Sequence, residues 1–330
     1  MLWNPETKQV LLARLDESSL KSEERGARTF VKDYYRVKTY ASPGEMLLPQ
    51  RDRSFSEPYM FASSEAGGTW NDHVAPFTVQ VAGCNANCVF CFVPAELRKC
   101  DETRGAYFTA GDIVRMRDEH EPGRKTIRVS GGEPFLAPGF IEALADELQG
   151  RGDTFLWIDT NLMGSGYEEA IGRLSSSGVH YGICGCFKGY DPGTFAMYSG
   201  LPGKRYESQW KNAALIRGEL MKREEERRLF FYVPELLFLE GAARGAEPQL
   251  RRVVERFFNQ MRERVGENAP LRTTVLSLKE YEANKGWKER VKAPRGVTPV
   301  EPGTTKKAWL ELIDETYPAE LAWLPQYQVF

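Results

Sequence analysis

Residues 76–91 read PFTVQVAGCNANCVFC, and this stretch decides how the rest of the chain is interpreted. Its first part, Pro76–Ala82, is rich in β-branched and aromatic residues and predicts a buried strand. Three cysteines follow that strand within one loop: Cys84, Cys88 and Cys91. A strand that delivers three thiols into the loop at its carboxyl end is typical of a parallel α/β sheet with its chemistry at that edge.

Five further β-rich segments follow the cysteines, and most of them are separated by segments with helical periodicity. The strands are predicted at 125–130, 154–159, 181–187, 230–239 and 271–278. The helices are predicted at 140–148, 168–174, 210–228 and 249–265. Strands that alternate with helices predict parallel βα units joined by right-handed crossovers. The sequence therefore predicts an α/β fold with an incomplete (β/α)6 parallel barrel, whose chemistry lies on loops at the carboxyl ends of the strands.

The segments that flank the predicted barrel are expected to be extensions of it. Residues 1–73 are polar and interrupted by turn signals, so we expect an N-terminal extension packed on the main domain. The barrel itself is expected over residues 74–280. Residues 281–330 contain several prolines before a final aromatic stretch and are expected to form a C-terminal extension.

Composition bounds the cellular setting and the partners of the chain. With 330 residues, of which 42% are hydrophobic and 27% charged, the chain can bury a substantial core. Its net charge of −2 gives no general attraction to phosphate backbones, so nucleic acid is not an expected partner. The first ten residues, MLWNPETKQV, do not have the apolar stretch of a secretory signal, and the most apolar run, Leu229–Leu239, is too short to span a bilayer. We therefore expect a cytoplasmic protein without a membrane partner.

The grouping of three of the six cysteines favours metal or redox use over disulfide bonding, because a cytosolic chain of this length does not need disulfides. Thiolates select iron–sulfur clusters, zinc or copper(I). A closed structural zinc site takes four ligands, and no second CxxC pair follows downstream. Three ligands would leave one iron of a cubane open to a cofactor or substrate. A non-catalytic zinc- or iron–sulfur-binding interaction protein remains the alternative.

The CxxxCxxC spacing, with Phe90 before the last cysteine, resembles the signature of the radical S-adenosylmethionine (SAM) superfamily. The resemblance implies that Cys84, Cys88 and Cys91 hold a [4Fe–4S] cluster whose unique iron chelates the amino and carboxylate groups of SAM. It also implies that Phe90 lies beside the adenine. The activity implied is reductive cleavage of SAM to a 5′-deoxyadenosyl radical, which abstracts hydrogen from a substrate. An electron donor such as flavodoxin or ferredoxin would be a partner.

A second motif follows the next predicted strand and reads Ser130-Gly131-Gly132-Glu133-Pro134. It resembles the GGEP motif of the same family, in which the backbone and the glutamate meet the methionyl ammonium group of SAM. The resemblance therefore implies that all five residues bind the cofactor. Glycines allow close approach of the backbone, and a carboxylate complements an ammonium group. A plain strand-to-helix turn is the alternative.

Two weaker matches, Asn161 and Lys188, resemble positions near SAM in the activating enzymes of glycyl-radical proteins. Capping of the next helix is the alternative for Asn161. Cys186 stands where that branch has an acidic residue, so the subfamily stays open. Cys184, Cys186 and Lys188 share one face of the predicted strand. A thiol on that face could donate a hydrogen atom, ligate a second cluster or simply pack in the core.

The substrate is left open by the sequence. A peptide or protein substrate, including a glycyl-radical protein, needs a long open groove, whereas a small-molecule substrate needs a capped barrel mouth. Either terminal extension could supply either arrangement.

Overall fold

The computed structural model describes residues 2–14, 27–32, 34–40, 62, 65–68, 73, 76–225, 228–240, 247–266, 273–276, 286–287, 297–300 and 303–316. Parts of two predicted elements, at 226–227, 271–272 and 277–278, lie outside these residues. No helix among the described residues is long and apolar enough to cross a membrane.

Thirteen strands and eight α-helices make up the described part of the chain. The strands are β1 (Trp3–Asn4), β2 (Gln9–Ala13), β3 (Ala27–Lys32), β4 (Tyr35–Tyr40), β5 (Phe77–Val81), β6 (Gly105–Thr109), β7 (Thr126–Gly131), β8 (Phe155–Thr160), β9 (His180–Cys186), β10 (Leu229–Pro234), β11 (Phe238–Glu240), β12 (Thr273–Leu276) and β13 (Val297–Pro299). The helices are α1 (Ala95–Arg98), α2 (Ala110–His120), α3 (Pro138–Glu147), α4 (Tyr167–Ser176), α5 (Pro192–Ser199), α6 (Tyr206–Met221), α7 (Glu247–Val265) and α8 (Thr304–Thr316).

Six parallel strands form the centre of one sheet and follow one another in chain order: β5, β7, β8, β9, β10 and β12. A helix lies between each pair of neighbours, as βα units with crossovers require. This arrangement confirms the predicted α/β fold with an incomplete (β/α)6 parallel barrel. The carboxyl ends of the six strands lie along one edge, where the cysteine loop leaves β5.

The two faces of the sheet differ because side chains alternate along each strand. On β8, Leu156 and Ile158 belong to the main hydrophobic core that also contains residues of the helices. Phe155 and Trp157 point to the opposite face, the interior of the partial barrel. There they pack in a second cluster with Cys184, Phe230, Ala62 and Ala66. This second cluster fills the end of the interior remote from the cysteine loop.

The N-terminal strands extend the same sheet beyond β5. Both β2 and β4 pair antiparallel with β5, and β1 and β6 pair antiparallel with β2. The extension is thus joined to the barrel by main-chain hydrogen bonds. The boundaries at 73/74 and 280/281 stay predictions.

Two predicted elements have different limits in the structure. The strand predicted over 230–239 is interrupted, because Pro234 lacks an N–H for the ladder, and β10 ends there. The chain resumes as β11, which pairs antiparallel with β13 in a separate small sheet. The helix predicted over 210–228 starts earlier, at Tyr206, and ends at Met221, followed by a turn in which Glu224 has a φ of 58°.

C-terminal residues pack at the carboxyl end of β10. Val300 N–H donates to the carbonyl of Leu237 (2.8 Å), and Gly303 N–H donates to the Glu235 carboxylate (2.9 Å). The Thr305 hydroxyl accepts from the N–H of Leu236 at 3.1 Å. These contacts bring part of the predicted C-terminal extension to the edge of the sheet that carries the cysteine loop.

Candidate metal and cofactor site

The cysteine loop is anchored at its start and in its middle by main-chain hydrogen bonds. It leaves β5 and runs to α1, and its early residues contact the carboxyl ends of α1 and α5. The bonds are Gly83 N–H to Leu97 O (2.7 Å), Cys84 N–H to Arg98 O (2.8 Å), Asn87 N–H to Ser199 O (2.8 Å) and Val89 N–H to Tyr198 O (3.0 Å). A loop fixed by its own backbone holds its side chains in place without help from a ligand.

The three thiols of the loop influence one another: Cys88 raises the pKa of Cys84, Cys91 raises that of Cys88, and Cys84 raises that of Cys91. Cys88 is buried, and Cys84 and Cys91 are partly exposed. The sulfur of Cys84 accepts from Ala86 N–H at 3.5 Å and from Asn161 Nδ2 at 3.6 Å. The sulfur of Cys91 accepts from Val93 N–H at 3.4 Å. Such N–H···S bonds stabilise negative charge on sulfur.

Burial makes the thiolate forms of these cysteines costly in the absence of a cation. Burial and, to a smaller extent, the neighbouring Cys88 raise the pKa of Cys84 to about 11. Burial likewise raises the pKa of Cys88 to about 11, against the lowering effect of Lys188. The pKa of Cys91 is raised by the same cause. Because metal ligands are thiolates, a bound metal would have to supply the positive charge that keeps all three deprotonated.

Three thiols are a soft donor set of the kind that iron–sulfur clusters and zinc ions accept. Within the described ranges, no group of three or more His, Cys, Asp or Glu side chains is arranged so that it could hold a metal ion. A lone zinc ion binds thiolates at about 2.3 Å, which draws their sulfurs to within roughly 4 Å of each other. A cubane binds each thiolate through a different iron and keeps them further apart. The motif supplies three thiols, one fewer than the four ligands of a closed structural zinc site.

The Ser130–Pro134 turn packs directly on the start of the cysteine loop. Gly131, with a φ of 94°, turns the chain at the end of β7. Gly132 N–H donates to Val81 O at 2.8 Å, and Glu133 N–H donates to Gly83 O at 2.9 Å. A Cβ on Gly132 would overlap the carbonyl oxygen of Gly83. The glycines thus allow the two motifs to touch through their backbones.

The Glu133 side chain is fully buried and joins the ends of β7 and β8. Its Oε1 accepts from Phe135 N–H (3.1 Å) and from the Thr160 hydroxyl (2.7 Å). Its Oε2 accepts from Asn161 N–H at 2.5 Å. Burial raises the pKa of the Glu133 carboxyl to about 7, although the three hydrogen bonds and the Lys188 cation lower it. Glu133 therefore organises the edge of the sheet beside the cysteines.

Replacing Glu133 by alanine is expected to destabilise the fold and weaken SAM binding, because three buried donors lose their acceptor. Each orphaned buried donor costs about 1–3 kcal/mol, so we expect the free energy of unfolding to fall by ~2–4 kcal/mol in denaturant titrations. Loss of a charge-assisted partner should weaken SAM binding by ~1.5–3 kcal/mol in calorimetry.

The exposed Glu168 at the start of α4 offers a control, since Glu168→Ala removes a carboxylate that lies on the surface. It should change neither quantity by more than about 0.5 kcal/mol. Unchanged SAM affinity in a folded Glu133→Ala protein would show that Glu133 does not bind SAM.

Asn161 connects the end of β8 to the first cysteine. Its Nδ2 donates to Cys84 Sγ at 3.6 Å and to the side-chain oxygen of Asn85 at 2.7 Å. Asn85 in turn donates to Met163 O at 2.6 Å. Asn161 Oδ1 accepts from Met163 N–H at 2.9 Å, so the side chain also forms a local turn in place of capping a helix. Asn161 is therefore fixed beside the cysteine loop.

Lys188 lies just beyond β9, on the side of the four thiols of Cys84, Cys88, Cys91 and Cys186. Its burial lowers the pKa of the ammonium group, but these thiols raise it by more, so that the net pKa is raised. A cation held here counters the negative charge that three cysteine thiolates would bring.

Cys184 and Cys186 lie on the interior face of β9 but in different surroundings. Cys184 is fully buried in the aromatic cluster with Trp157 and Phe230, and burial raises its pKa well above the usual range. Cys186 is partly exposed and lies close enough to act on Cys88. Packing explains Cys184. A hydrogen-donor role for Cys186 stays a hypothesis.

Phe90 is held between two aromatic side chains from distant parts of the chain. Its ring centroid lies 5.9 Å from that of Tyr198 and 6.3 Å from that of Trp287, in edge-to-face geometry. Trp287 is fully buried. A residue of the predicted C-terminal extension thus contacts the aromatic position of the cysteine motif.

The interior face between β5 and β8 is polar near the cysteine end. Arg128 pairs with Asp159 (2.8 Å), which also accepts from Trp157 Nε1 at 2.9 Å. The Arg128 side chain is 27% exposed and the Asp159 side chain 13% exposed, so the interior is accessible there. By strand register, Ser130 lies between Gln80 and the Asp159 position. The carboxamide of Gln80 is fully buried, with no hydrogen-bond partner within the described residues.

Sequence reasoning missed several residues of the site. Asn85 lies inside the cysteine motif, but at a position that the CxxxCxxC spacing leaves unspecified. Gln209 on α6 contacts Asn161, Cys186 and Lys188, although its position in a helical pattern gives no sign of this. The Arg128–Asp159 pair had a signal, because each lies near the carboxyl end of a predicted strand on the face shared with Ser130.

Comparison with known proteins places the site in context. Residues 79–184, from β5 to β9, match the family model described as Radical SAM superfamily. A 7-carboxy-7-deazaguanine synthase of Methanothermobacter thermautotrophicus is 40% identical over 70 residues, which are 21% of this chain and 27% of that protein. The matched region thus spans about a quarter of that relative's length. The crystal structure of SuiB from Streptococcus suis has a TM-score of 0.36 and 13% identity, covering 79% of this chain and 73% of that chain.

Proposed function

We propose that this chain, whose residues 79–184 form a radical SAM superfamily domain, is an enzyme that reductively cleaves SAM and uses the product radical on a bound substrate. Cys84, Cys88 and Cys91 would hold a [4Fe–4S] cluster, and SAM would bind between the cysteine loop and the Ser130–Pro134 turn. The reductant would be a flavodoxin or ferredoxin, and the setting cytoplasmic.

One observation carries the proposal: the two motifs are in backbone contact. Gly83 starts the cysteine loop and accepts a hydrogen bond from Glu133, the fourth residue of the second motif. The contact continues the pairing of β5 with β7 and brings the cysteine loop and the Ser130–Pro134 turn together at one edge of the sheet. A cofactor bound at that edge could be held by both segments at once.

A cluster held by Cys84, Cys88 and Cys91 would supply the electron for reductive cleavage of SAM, which is the source of radical chemistry on the substrate. The residues around it would bind and orient SAM. Phe90 would lie beside the adenine, and the backbone of Gly131 and Gly132 would approach the methionyl group. Glu133 Oε2 accepts one described hydrogen bond, from Asn161, so it keeps acceptor capacity for the ammonium group.

Lys188 would serve the carboxylate or ribose of SAM. Its charge is retained beside the thiols, and within the described chain no carboxylate forms an ion pair with it. An ammonium group in such surroundings is stabilised when an anionic ligand arrives. The Asn161 side chain, which donates to Cys84, would lie between that cysteine and the bound SAM.

A small molecule bound in the barrel interior is the substrate class that the interior face favours. The aromatic cluster around Trp157 fills the remote end, which leaves the part nearer the cysteines for a ligand. Arg128 and Asp159 retain exposure there, and the buried carboxamide of Gln80 is costly unless a partner satisfies it. A peptide would need a groove that reaches this depth.

The likeness to the deazaguanine synthase makes 7-carboxy-7-deazaguanine the first compound to test. Calorimetry with the cluster-loaded protein should detect binding, with guanine as the control that lacks the carboxyl group. Equal failure of both compounds would direct the search to another class of small molecule.

The test of the proposed function is anaerobic reconstitution with iron and sulfide, followed by metal analysis. A brown protein with about four irons and four sulfides per chain is expected. With dithionite it should convert SAM to 5′-deoxyadenosine, measured by chromatography. A colourless protein that holds zinc and leaves SAM intact would support the interaction-protein alternative.

A further inference from the structure

Two carboxamide side chains of helix α6, those of Gln209 and Asn212, contact the edge of the sheet that carries the site. The residues are three positions apart and therefore lie on one face of the helix. Asn212 donates to Leu162 O (2.9 Å) and Gly164 O (3.5 Å) in the loop after β8. Gln209 reaches deeper, to the ends of both β8 and β9.

Both polar atoms of the Gln209 carboxamide form hydrogen bonds with backbone groups, and these belong to three residues of the site. Its Nε2 donates to Asn161 O at 2.6 Å and to Cys186 O at 3.2 Å. Its Oε1 accepts from Lys188 N–H at 3.1 Å. The side chain is fully buried, so water does not offer these groups an alternative partner. Because β8 ends at Thr160 and β9 at Cys186, Gln209 continues the hydrogen bonding where the sheet stops.

The two residues clamped by Gln209 are an N–H donor to a cysteine and a lysine at the same edge of the sheet. Asn161 donates an N–H···S bond to Cys84, and Lys188 follows the last residue of β9, Cys186, by two positions. Positive groups and N–H donors near thiolates stabilise the more negative, reduced state of an iron–sulfur cluster. Displacing them would make the cluster harder to reduce.

We infer that Gln209 is a positioning residue that raises the reduction potential of the cluster by holding the Asn161 donor against Cys84 and the backbone of Lys188 at the same edge of the sheet. The inference rests on the proposed function, since it requires a cluster at Cys84, Cys88 and Cys91. Gln209 itself touches neither a thiol nor a reacting atom in this role. Its effect passes through the backbone of its two partners.

The test is a redox titration of the cluster-loaded protein, followed by electron paramagnetic resonance. Gln209→Met keeps the unbranched shape but removes all three hydrogen bonds, and Gln209→Glu keeps only the acceptor for Lys188. Both midpoint potentials should become more negative than that of the unmodified protein. Asn212→Ala is the matched control, on the same helix face, and should titrate like the unmodified protein.

A double-mutant cycle separates positioning from other effects of the substitutions. In an Asn161→Ala/Lys188→Met background, the isosteric and uncharged Gln209→Met should cause no further shift, because the groups that Gln209 positions are gone. A shift that persists undiminished in that background would overturn the inference, and so would Gln209 variants that titrate like the unmodified protein. If the unmodified protein holds no redox-active cluster, the proposed function itself fails.

Discussion

Replacing Cys88 by alanine is expected to abolish cluster binding and, with it, all cleavage of SAM. Two thiolates of the motif would remain where the cubane needs three. Iron and sulfide content should fall to background after anaerobic reconstitution, and 5′-deoxyadenosine should be undetectable. Cys84→Ala and Cys91→Ala should behave in the same way.

Cys100→Ala is the matched control for these variants. The Cys100 thiol lies against Gly83, close to the loop, but outside the three-cysteine spacing. Its removal should leave iron content and SAM cleavage unchanged. A Cys88→Ala protein that keeps its iron and sulfide and cleaves SAM normally would refute the ligand assignment.

Gly132→Ala should disrupt the site as severely by a different route, because the new methyl group meets backbone. Its Cβ would overlap the Gly83 carbonyl oxygen and lie 2.8 Å from the carbonyl carbon and 2.9 Å from Val81 O. Neither backbone group can rotate away, so the cysteine loop must shift from the β7 turn. We expect the free energy of unfolding to fall by ~3 kcal/mol or more, together with poor cluster retention.

Gly218→Ala provides the comparison, since it adds the same methyl group within α6. A Cβ there meets nothing within 4 Å, and alanine favours a helix by about 0.5–1 kcal/mol over glycine. Denaturant unfolding and iron analysis should therefore show an unchanged or slightly more stable, fully loaded protein. Normal stability and iron content in Gly132→Ala would mean that the contact between the two motifs is dispensable.

The sequence was sufficient for those features that depend on a short run of residues. Each of the six parallel strands is a local β-rich segment, and their alternation with helical segments implies the parallel order that the sheet has. The cysteine motif occupies one loop, so its spacing is visible without a fold. The one strand whose limits were wrong, 230–239, contains its own reason in Pro234, which ends the ladder.

Residues whose partners lie far along the chain were decided by the tertiary structure alone. Gln209 is 48 positions from Asn161 and 21 from Lys188, and nothing in a helical pattern distinguishes a surface glutamine from one that clamps two strands. The same holds for Trp287, which meets Phe90 only after the chain has returned to the mouth of the barrel. A hydrogen bond or ring contact depends on where the whole backbone path brings two groups together, whereas strand and helix patterns depend on neighbours within one turn or one pleat. The fold class and the candidate ligands therefore followed from the sequence by itself, and the residues that hold those ligands in place followed only from packing.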